Sequence, residues 1–335
     1  MLSALMMTPF KVRARSIAKR DLPLAVGPAI RMAVSIGNFL SRFVMSQVLT
    51  LIAKPLTDDH VRLVLATLPT GAAADWLATG QACDLRFRGA SQGVEEAARQ
   101  ALAGAEVDLF CQADQPSRRR QLLVADMDST IISGECIDEM AAVIGQKAQV
   151  AAITERAMSG EISFDQALRE RAKMLIGLAE ADLQAVYDQR IHLNPGAREL
   201  VATMRAHGAL TALVSGGFTF FTERVAAAAG FDHQQANQLH FVAGRLDGDV
   251  VEPILGPQEK LAALRALSKQ QNLEPAQTLA VGDGANDLAM VKAAGLGVAY
   301  HAKPVLAQAA KARIEYGDLT ALLYLQGYRA SQFQS

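Results

Sequence analysis

The chain has 335 residues, of which half are hydrophobic and a fifth are charged, and its formal net charge is −1. This length favours two domains over one. A net charge near zero provides no bulk attraction to nucleic acid or to anionic membrane surfaces. The three cysteines, Cys83, Cys111 and Cys136, are too widely spaced for a disulfide framework, which favours a reducing, cytoplasmic compartment.

The first 44 residues differ in composition from the rest of the chain. They carry seven basic residues against a single acid, Asp21. Their apolar stretches are too short and too interrupted to span a bilayer. An arginine-rich, acid-poor start is similar to an organellar presequence. We favour instead a basic extension that is disordered or absent from the native protein, with synthesis then beginning at Met45.

Residues 45–115 predict a small N-terminal module of α/β or α+β type. Apolar patterning favours strands at residues 48–53 and 83–89, and helices at residues 72–80 and 94–103. The module carries no cluster of catalytic residue types, so its sequence points to no chemistry of its own.

A polar segment at residues 112–120 is the predicted linker after this module. It contains Pro116 and three consecutive arginines, Arg118 to Arg120. Proline and polar residues are typical of exposed connections between domains. We therefore expect the three arginines to be solvated rather than to form a phosphate or nucleic-acid patch.

Two acidic clusters directly follow predicted strands. The apolar residues 121–125 run into Asp126 and Asp128, and the apolar residues 278–281 run into the sequence GDGAND. Ligands of parallel α/β sheets bind at the carboxyl ends of the strands. We therefore expect the two clusters to share one cation.

A hydroxyl group and a lysine lie between these clusters along the chain. Residues 210–214 form an apolar run that ends in Ser215 and Gly216, and Lys260 lies near the start of a predicted helix at residues 258–272. Aspartate, serine, lysine and aspartate at successive strand or helix ends are typical of a phosphoryl-transfer site.

Strand and helix patterns alternate after residue 121. This alternation predicts an α/β fold with a doubly wound, mostly parallel sheet covered on both faces. Residues 135–193 interrupt it, because their pattern is helical almost throughout, and we interpret them as an inserted helical cap. Farther along, Asp247 and Gly248 predict a tight hairpin turn between two strands.

The residue types of the acidic clusters suit both metal binding and nucleophilic attack. Asp126 and Asp128 are two residues apart, so a turn brings both carboxylates to one ligand. Two close carboxylates repel each other unless a cation or a proton lies between them. With Asp283 they offer hard oxygen ligands, which suit Mg²⁺. An aspartate carboxylate is also a competent nucleophile toward phosphorus.

Four motifs then occur in a characteristic order: DMDST at residues 126–130, SGG at residues 215–217, Lys260, and GDGANDL at residues 282–288. In this order they resemble the haloacid dehalogenase superfamily of phosphohydrolases and, within it, the phosphoserine phosphatases. The resemblance covers about residues 121–317 and leaves the N-terminal module outside.

The resemblance implies a role for each motif residue. Asp126 is expected to attack phosphorus, and Asp128 to act as proton donor and acceptor. Mg²⁺ is expected on the side chains of Asp126 and Asp283 and on the backbone carbonyl of Asp128. The other expected phosphate contacts and supports are Ser215, Gly216, Lys260, Asn286 and Asp287. Helix capping is the alternative for the last two.

Two further residues are implied to recognise an amino-acid head group. In the family, a glutamate nine residues after the nucleophile meets the substrate ammonium, and Glu135 has this spacing. An arginine in an F-x-x-[SA]-L-x-x-R stretch meets the substrate carboxylate, and residues 164–171 place Arg171 there. Arg169 is the local competitor. An ordinary i,i+4 ion pair on an exposed helix face is the alternative for Arg171.

The implied activity is Mg²⁺-dependent hydrolysis of O-phospho-L-serine to L-serine and phosphate, the last step of L-serine biosynthesis, in a phosphatase domain at residues 121–330. The alternatives are a phosphatase or phosphotransferase that acts on another small phospho-amino acid, or an amino-acid sensor that uses the fold as a scaffold. The intact catalytic set argues against a scaffold. An ACT-like regulatory role for residues 45–115 and a homodimer are further expectations, whereas nucleic-acid and membrane partners are not expected.

Overall fold

The structure is a computed structural model that describes residues 45–158 and 161–335. The predicted basic extension of residues 1–44 lies outside the described residues. Within the described part of the chain, no helix has the length and apolar character that crossing a membrane requires.

The N-terminal module, residues 46–113, is a four-stranded antiparallel sheet with two helices. Its elements are β1 (Ser46–Ile52), α1 (Asp58–Leu65), β2 (Ala73–Ala78), β3 (Ala82–Arg88), α2 (Val94–Ala101) and β4 (Asp108–Ala113). The strands pair in the order β2-β3-β1-β4, which makes a βαββαβ arrangement. Apolar side chains of both helices and of the sheet form a core that belongs to the module.

The predicted helix at residues 72–80 is wrong, because these residues form strand β2. In the structure Trp76 pairs with Cys83 of the antiparallel neighbour β3, and Leu77 is buried. The alanine-rich composition favours a helix only weakly, by a few tenths of a kcal/mol per residue. Pairing with β3 and burial of apolar side chains outweigh that preference.

Among the residues that the structure describes, eighteen helices and strands follow the module. They are β5 (Leu122–Ala125), α3 (Cys136–Val143), α4 (Lys147–Met158), α5 (Phe164–Met174), α6 (Glu180–Arg190), α7 (Ala197–Ala206), β6 (Leu210–Phe218), α8 (Thr219–Ala229), β7 (His233–Asn237), β8 (Leu239–Val242), β9 (Arg245–Val250), α9 (Pro257–Gln270), β10 (Thr278–Gly282), α10 (Leu288–Ala293), β11 (Leu296–Tyr300), α11 (Pro304–Ala307), β12 (Ala312–Ile314) and α12 (Ala321–Leu325), with short 3-10 turns at Pro275–Gln277 and Ala285–Asp287.

Six of these strands form a parallel sheet in the order β12-β11-β10-β5-β6-β7. Strands β5 and β10 are buried along their whole length, as expected for parallel strands covered on both faces. The chain enters the sheet at β5, continues to β6 on one side and later reaches β10 on the other. The carboxyl end of β5 is therefore a topological switch point, where open α/β sheets bind ligands.

Along the chain, four helices, α3 to α6, follow strand β5 before the sheet resumes, and they form the predicted cap. A separate two-stranded sheet, β8 with β9, packs against helix α5 of the cap. Its tight turn lies at Ala243 and Gly244, which both have positive φ angles. The turn predicted at Asp247 and Gly248 is therefore wrong, since both residues lie within β9.

The expectation of three solvated arginines in the linker is wrong for Arg118, which is only 5% exposed, and Arg120 is half-buried. The Arg118 guanidinium donates to both Asp84 carboxylate oxygens, at 2.6 and 2.8 Å, and to the Thr50 hydroxyl at 2.8 Å. It also donates to the backbone carbonyls of Tyr324 and Leu325. Arg118 thus joins the module to the segment of residues 315–329, which we call the C-terminal segment.

The same segment makes further polar contacts with the module. The Asp108 carboxylate accepts hydrogen bonds from the backbone N–H groups of residues 315–317. Arg329 forms an ion pair with Asp75, and Lys54 pairs with Asp318. The C-terminal segment is therefore held between the N-terminal module and the parallel sheet.

Candidate active site

The predicted site residues surround one cavity of about 360 Å³ at the carboxyl ends of β5, β6 and β10. We call it the catalytic cavity. Of the residues predicted from the motifs, those that line it are Asp126, Asp128, Glu135, Arg171, Ser215, Gly216, Asp283 and Asn286. Lys260 and Asp287 are buried beneath its floor. The structure thus brings together all ten predicted residues.

A buried lysine lies between two carboxylates at the floor of the cavity. The Lys260 ammonium is 2.7 Å from Asp126 Oδ1 and 2.7 Å from Asp287 Oδ1. Burial acts to lower the pKa of Lys260, but the two carboxylates outweigh burial and hold this pKa above its usual value. Burial and the nearby Asp287 charge raise the pKa of Asp126, and Lys260 opposes that shift. The single Lys260 ammonium thus compensates the charge of both Asp126 and Asp287.

The Asp128 carboxylate lies beside Asp126 and accepts two hydrogen bonds, one at each oxygen. After β5 the chain turns at Met127–Ile131, which places the Asp128 carboxylate beside Asp126 instead of farther along a strand. Its Oδ1 accepts from the backbone N–H of Cys136 at 2.8 Å, and its Oδ2 accepts from the Ser215 hydroxyl at 3.2 Å. Burial, together with the charge of Glu135, raises the pKa of Asp128 to about 6. A carboxyl group with this pKa exchanges protons near neutral pH.

The floor carboxylates have the chemistry of a divalent-cation site. One oxygen from each of Asp126, Asp283 and Asp287 lies within 4.8 Å of the others. Asp287 is already engaged, since Oδ1 accepts from Lys260 and Oδ2 accepts from the backbone N–H of Asp283 at 3.2 Å. The carboxylates of Asp126 and Asp283 therefore remain the better ligand candidates, and hard oxygen donors fit a small divalent cation.

Close packing of the β10 loop depends on Gly282. A Cβ atom at this position would lie 2.3 Å from the Asp287 side chain. The absence of a side chain lets the Asp287 carboxylate fold back under the strand end, where it reaches both Lys260 and the loop N–H groups. This explains why glycine precedes Asp283 in the motif.

A hydroxyl and a glycine pair line the opposite wall, at the end of β6. Ser215 is only 3% exposed, and its Oγ accepts from the backbone N–H of Gly217 at 2.8 Å. At Gly216, a Cβ atom would lie 3.1 Å from the Phe164 ring of the cap. Small residues at this point therefore allow the cap to approach the backbone of β6 closely.

The cap contributes an acid and an arginine to the same cavity. Glu135 precedes α3, and its Oε1 accepts from the Ser129 hydroxyl at 3.0 Å. Arg171 on α5 donates to the Ala167 carbonyl at 3.2 Å and to the Thr154 hydroxyl at 3.4 Å. Burial lowers the pKa of Arg171, against the charges of Glu135 and Asp138. The neutral Ala167 carbonyl and Thr154 hydroxyl thus hold the Arg171 guanidinium near the carboxylates of Glu135 and Asp138.

Arg169, the alternative to Arg171, forms an ion pair with Glu252 and does not line the cavity.

The sequence analysis missed Lys303, which lines the cavity and whose ammonium lies 3.4 Å from Asp283 Oδ2. The available signal was its place just after β11, a further parallel strand whose carboxyl end faces the same edge of the sheet.

Comparisons with known proteins agree with this geometry. The family model of haloacid dehalogenase-like hydrolases matches residues 123–292. The phosphoserine phosphatase of Albidiferax ferrireducens is 45% identical over 210 residues, which cover 61% of this chain and 89% of that protein.

Two solved structures are similar over most of the chain. A haloacid dehalogenase family hydrolase from Salmonella enterica aligns with a TM-score of 0.76 at 30% identity, covering 84% of this chain and 98% of that one. An unliganded probable phosphoserine phosphatase from Vibrio cholerae aligns with a TM-score of 0.71 at 33% identity, covering 86% and 88%.

Proposed function

Because this chain belongs to the haloacid dehalogenase-like hydrolases, we propose that it is a phosphoserine phosphatase that converts O-phospho-L-serine and water to L-serine and phosphate. The observation that carries this proposal is that two sets of residues with different chemistry surround the same cavity. Its floor bears the aspartates and lysine of phosphoryl transfer, and its cap side bears Glu135 and Arg171, a pair that suits an amino-acid head group.

In the first step an Asp126 carboxylate oxygen attacks phosphorus as the bond from phosphorus to the seryl oxygen breaks. The departing seryl oxygen takes a proton from Asp128, which lies beside Asp126 and has a pKa of about 6. This step yields L-serine and an aspartyl phosphate on Asp126.

In the second step water attacks the phosphorus of the aspartyl phosphate. Asp128, now ionised, accepts a proton from that water, and the bond between phosphorus and the Asp126 oxygen breaks. Inorganic phosphate leaves, and both aspartates return to their starting protonation states. A single residue can serve as acid and then base because each step returns the form that the other requires.

Charge neutralisation supports both steps. The Lys260 ammonium, the Ser215 hydroxyl and the Gly216 backbone N–H are the proposed donors to the phosphoryl oxygens, with Asn286 beside them. The side chains of Asp126 and Asp283 and the backbone carbonyl of Asp128 would hold Mg²⁺. When bound, this ion would neutralise phosphoryl charge as a Lewis acid. Asp287 keeps Lys260 in place.

Specificity is proposed to come from the cap. Arg171 suits the substrate carboxylate because a guanidinium offers two parallel N–H donors to it. Glu135 suits the substrate ammonium by charge. Support for this assignment is that both residues line the cavity that contains Asp126, and that Arg171 has neutral hydrogen-bond partners in the described contacts.

A phosphate-release panel tests the proposal. Phosphoserine, phosphothreonine, phosphohomoserine and sugar phosphates would be compared, with and without Mg²⁺. The variant Arg171→Met should lower kcat/KM for phosphoserine by about 30-fold to 5,000-fold, since an unpaired charged contact costs about 2 to 5 kcal/mol. Hydrolysis of p-nitrophenyl phosphate, which has no amino-acid head, should change by less than about threefold.

The matched control is Arg169→Met, which removes the same charge from the same helix outside the cavity. It should leave the ratio of the two substrates unchanged. Equal losses on both substrates for Arg171→Met would contradict head-group recognition. If the enzyme preferred another phospho-amino acid, the proposed substrate would change and the proposed phosphoryl-transfer steps would stand.

We also propose that the N-terminal module is an ACT-like regulatory unit, with its boundary to the phosphatase domain near residues 115–121. Its βαββαβ order supports this interpretation. A homodimer and a cytoplasmic location belong to the same proposal. Three free cysteines, Cys83, Cys111 and Cys136, suit a reducing compartment.

A further inference from the structure

Lys303 is attached to the metal-binding loop by its backbone, while its side chain extends into the catalytic cavity. Its backbone N–H donates to the carbonyl of Asp283 at 2.8 Å, which fixes the position of its main chain. Its side chain is 47% exposed, and its ammonium makes one long contact of 3.4 Å with Asp283 Oδ2. The four-carbon stem therefore remains free to move the ammonium within the cavity.

Lys260 differs from Lys303 in both exposure and engagement. The side chain of Lys260 is 2% exposed, and its ammonium has two carboxylate partners at 2.7 Å each. An ammonium has three hydrogens, so Lys260 has one left for a phosphoryl oxygen. The Lys303 ammonium has at least two hydrogens that meet no acceptor among the side chains and backbone atoms of the described residues.

The charge of the cavity walls calls for a second cation. Four carboxylates line the cavity, from Asp126, Asp128, Glu135 and Asp283. The lining cations are Arg171 on the cap and Lys303 at the sheet edge. A phosphate dianion that enters beside these acids is repelled unless nearby cations compensate. Arg171 lies on the cap, so Lys303 is the lining cation on the floor side, where it adds to the charge of the buried Lys260 ammonium, which two carboxylates already engage.

We propose that Lys303 is a second phosphate-binding lysine, which donates to the phosphoryl oxygens of the substrate and retains the released phosphate. This inference deepens the proposed function, since it assigns a further contact within the same site. It assigns no role in head-group recognition. It predicts that Lys303 affects affinity for any phosphate ester and for inorganic phosphate alike.

Product inhibition provides the test, because it requires no phosphoserine. The inhibition constant of inorganic phosphate would be measured against p-nitrophenyl phosphate at saturating Mg²⁺. Lys303→Met should weaken phosphate inhibition about tenfold, the usual effect of one charge-assisted hydrogen bond. Lys303→Arg, which keeps the charge, should remain within about threefold of the wild type. Lys269→Met, on the exposed face of α9, is the control for loss of one positive charge.

Calorimetric Mg²⁺ binding separates this role from support of Asp283. If Lys303 only orients that carboxylate, Lys303→Met will weaken Mg²⁺ binding, and phosphate inhibition at saturating Mg²⁺ will not change. That result would overturn the proposal. Retained Mg²⁺ affinity together with weaker phosphate inhibition would support it.

A measurement on the wild-type protein covers the case in which the variants fail to fold. Acylation of lysines would be followed by mass spectrometry in the presence of Mg²⁺, with and without phosphate. Phosphate should slow modification of Lys303 at least about threefold and leave Lys269 unchanged. Equal modification with and without phosphate would refute the proposal. If the protein hydrolysed no phosphate ester, the proposed function would be refuted. The acylation measurement would still test whether Lys303 binds phosphate.

Discussion

Two buried ion clusters in this molecule resemble each other in burial but differ in purpose. In the junction cluster, Arg118 meets the two oxygens of Asp84, and its remaining described contacts are protein hydroxyl and carbonyl groups. In the active-site cluster, Lys260 lies between Asp126 and Asp287, and Asp283 adds a further carboxylate nearby.

The difference lies in charge balance and access. In the junction cluster the charges are paired, because Asp84 meets both Arg118 and Arg86, and Arg118 and Asp84 are themselves buried. A buried ion pair needs such compensation if it is only structural. The active-site cluster has an excess of negative charge, and two of its carboxylates line a cavity. A charge excess beside an open volume marks a functional site, whereas burial of an ion pair alone does not. The following variants test this distinction.

The largest expected effect is the loss of activity in Asp126→Asn. The substitution keeps the shape of the side chain and removes the proposed nucleophile, so kcat should fall by at least about 10⁴-fold, or about 5 kcal/mol of barrier. Unfolding in urea should change by less than about 1 kcal/mol, because Lys260 keeps Asp287 as its partner. Phosphate release and urea titration measure the two effects. A variant with substantial turnover would refute the assignment of Asp126.

The junction cluster should show the opposite behaviour. Arg118→Met removes the closer ion-pair partner of the buried Asp84 carboxylate and leaves Arg86 at 3.2 Å, so the free energy of unfolding should fall by about 3 kcal/mol, the lower end of the usual cost of breaking a buried pair. Below the unfolding temperature, kcat should stay within about threefold of the wild type. Arg119→Met, next to it and exposed, should cost less than about 1 kcal/mol. A large loss of kcat in folded Arg118→Met would show that the junction communicates with the catalytic cavity.

Removal of a carboxylate from the floor should affect metal binding first. Asp283→Asn replaces a charged ligand with a neutral one, so Mg²⁺ affinity should fall by about 100-fold, or about 2.7 kcal/mol. Excess Mg²⁺ should restore part of the activity. Calorimetry and a Mg²⁺ titration of phosphate release measure both. Full wild-type activity in excess chelator would contradict the role of a divalent cation.

The smallest effect is a gain of stability in Asp128→Asn. The pKa of Asp128 is raised to about 6, so the folded protein holds this proton more tightly than the unfolded chain does. The ionised side chain therefore destabilises the metal-free protein above pH 6, and this cost disappears as the pH falls below about 4. Asp128→Asn should add about 1 to 2 kcal/mol of stability at pH 8 and none at pH 3.5.

Chelator-treated protein and a series of urea titrations at different pH values would measure this gain. Asp249→Asn, at an exposed position of β9, is the control for loss of one carboxylate. A gain of the same size at both pH values would mean that packing, not ionisation, explains the effect. A loss of stability at pH 8 would contradict the raised pKa.

Three of the four catalytic motifs could be predicted from the sequence because each one follows a largely apolar run of strand residues. In a parallel sheet, such strands end at the same edge, so Asp126, Ser215 and Asp283 had to meet. Lys260 and Arg171 required the family spacing, since a lone lysine or arginine on a helix has no distinctive pattern. Lys303 has neither a motif nor a pattern, and only its place after β11 could have suggested it.

The errors arose where distant partners decide the local structure. Residues 73–78 become a strand because β3 is available for pairing, although their alanines favour a helix. Arg118 is buried because Asp84 and the C-terminal segment surround it, and no local pattern reveals partners so far away along the chain. Ala243 adopts a positive φ angle that a sequence reader would assign to glycine or aspartate.

The position of the C-terminal segment has a consequence for synthesis on the ribosome. Arg118 finds its carbonyl partners at Tyr324 and Leu325, which lie 206 and 207 residues later in the chain. At about 5 to 20 residues per second, translation needs roughly 10 to 40 s to cover that distance. During this interval the N-terminal module must stay folded on its own core, with the surface that later contacts the C-terminal segment still uncovered. The Arg118 guanidinium therefore lacks its two carbonyl partners until that segment emerges.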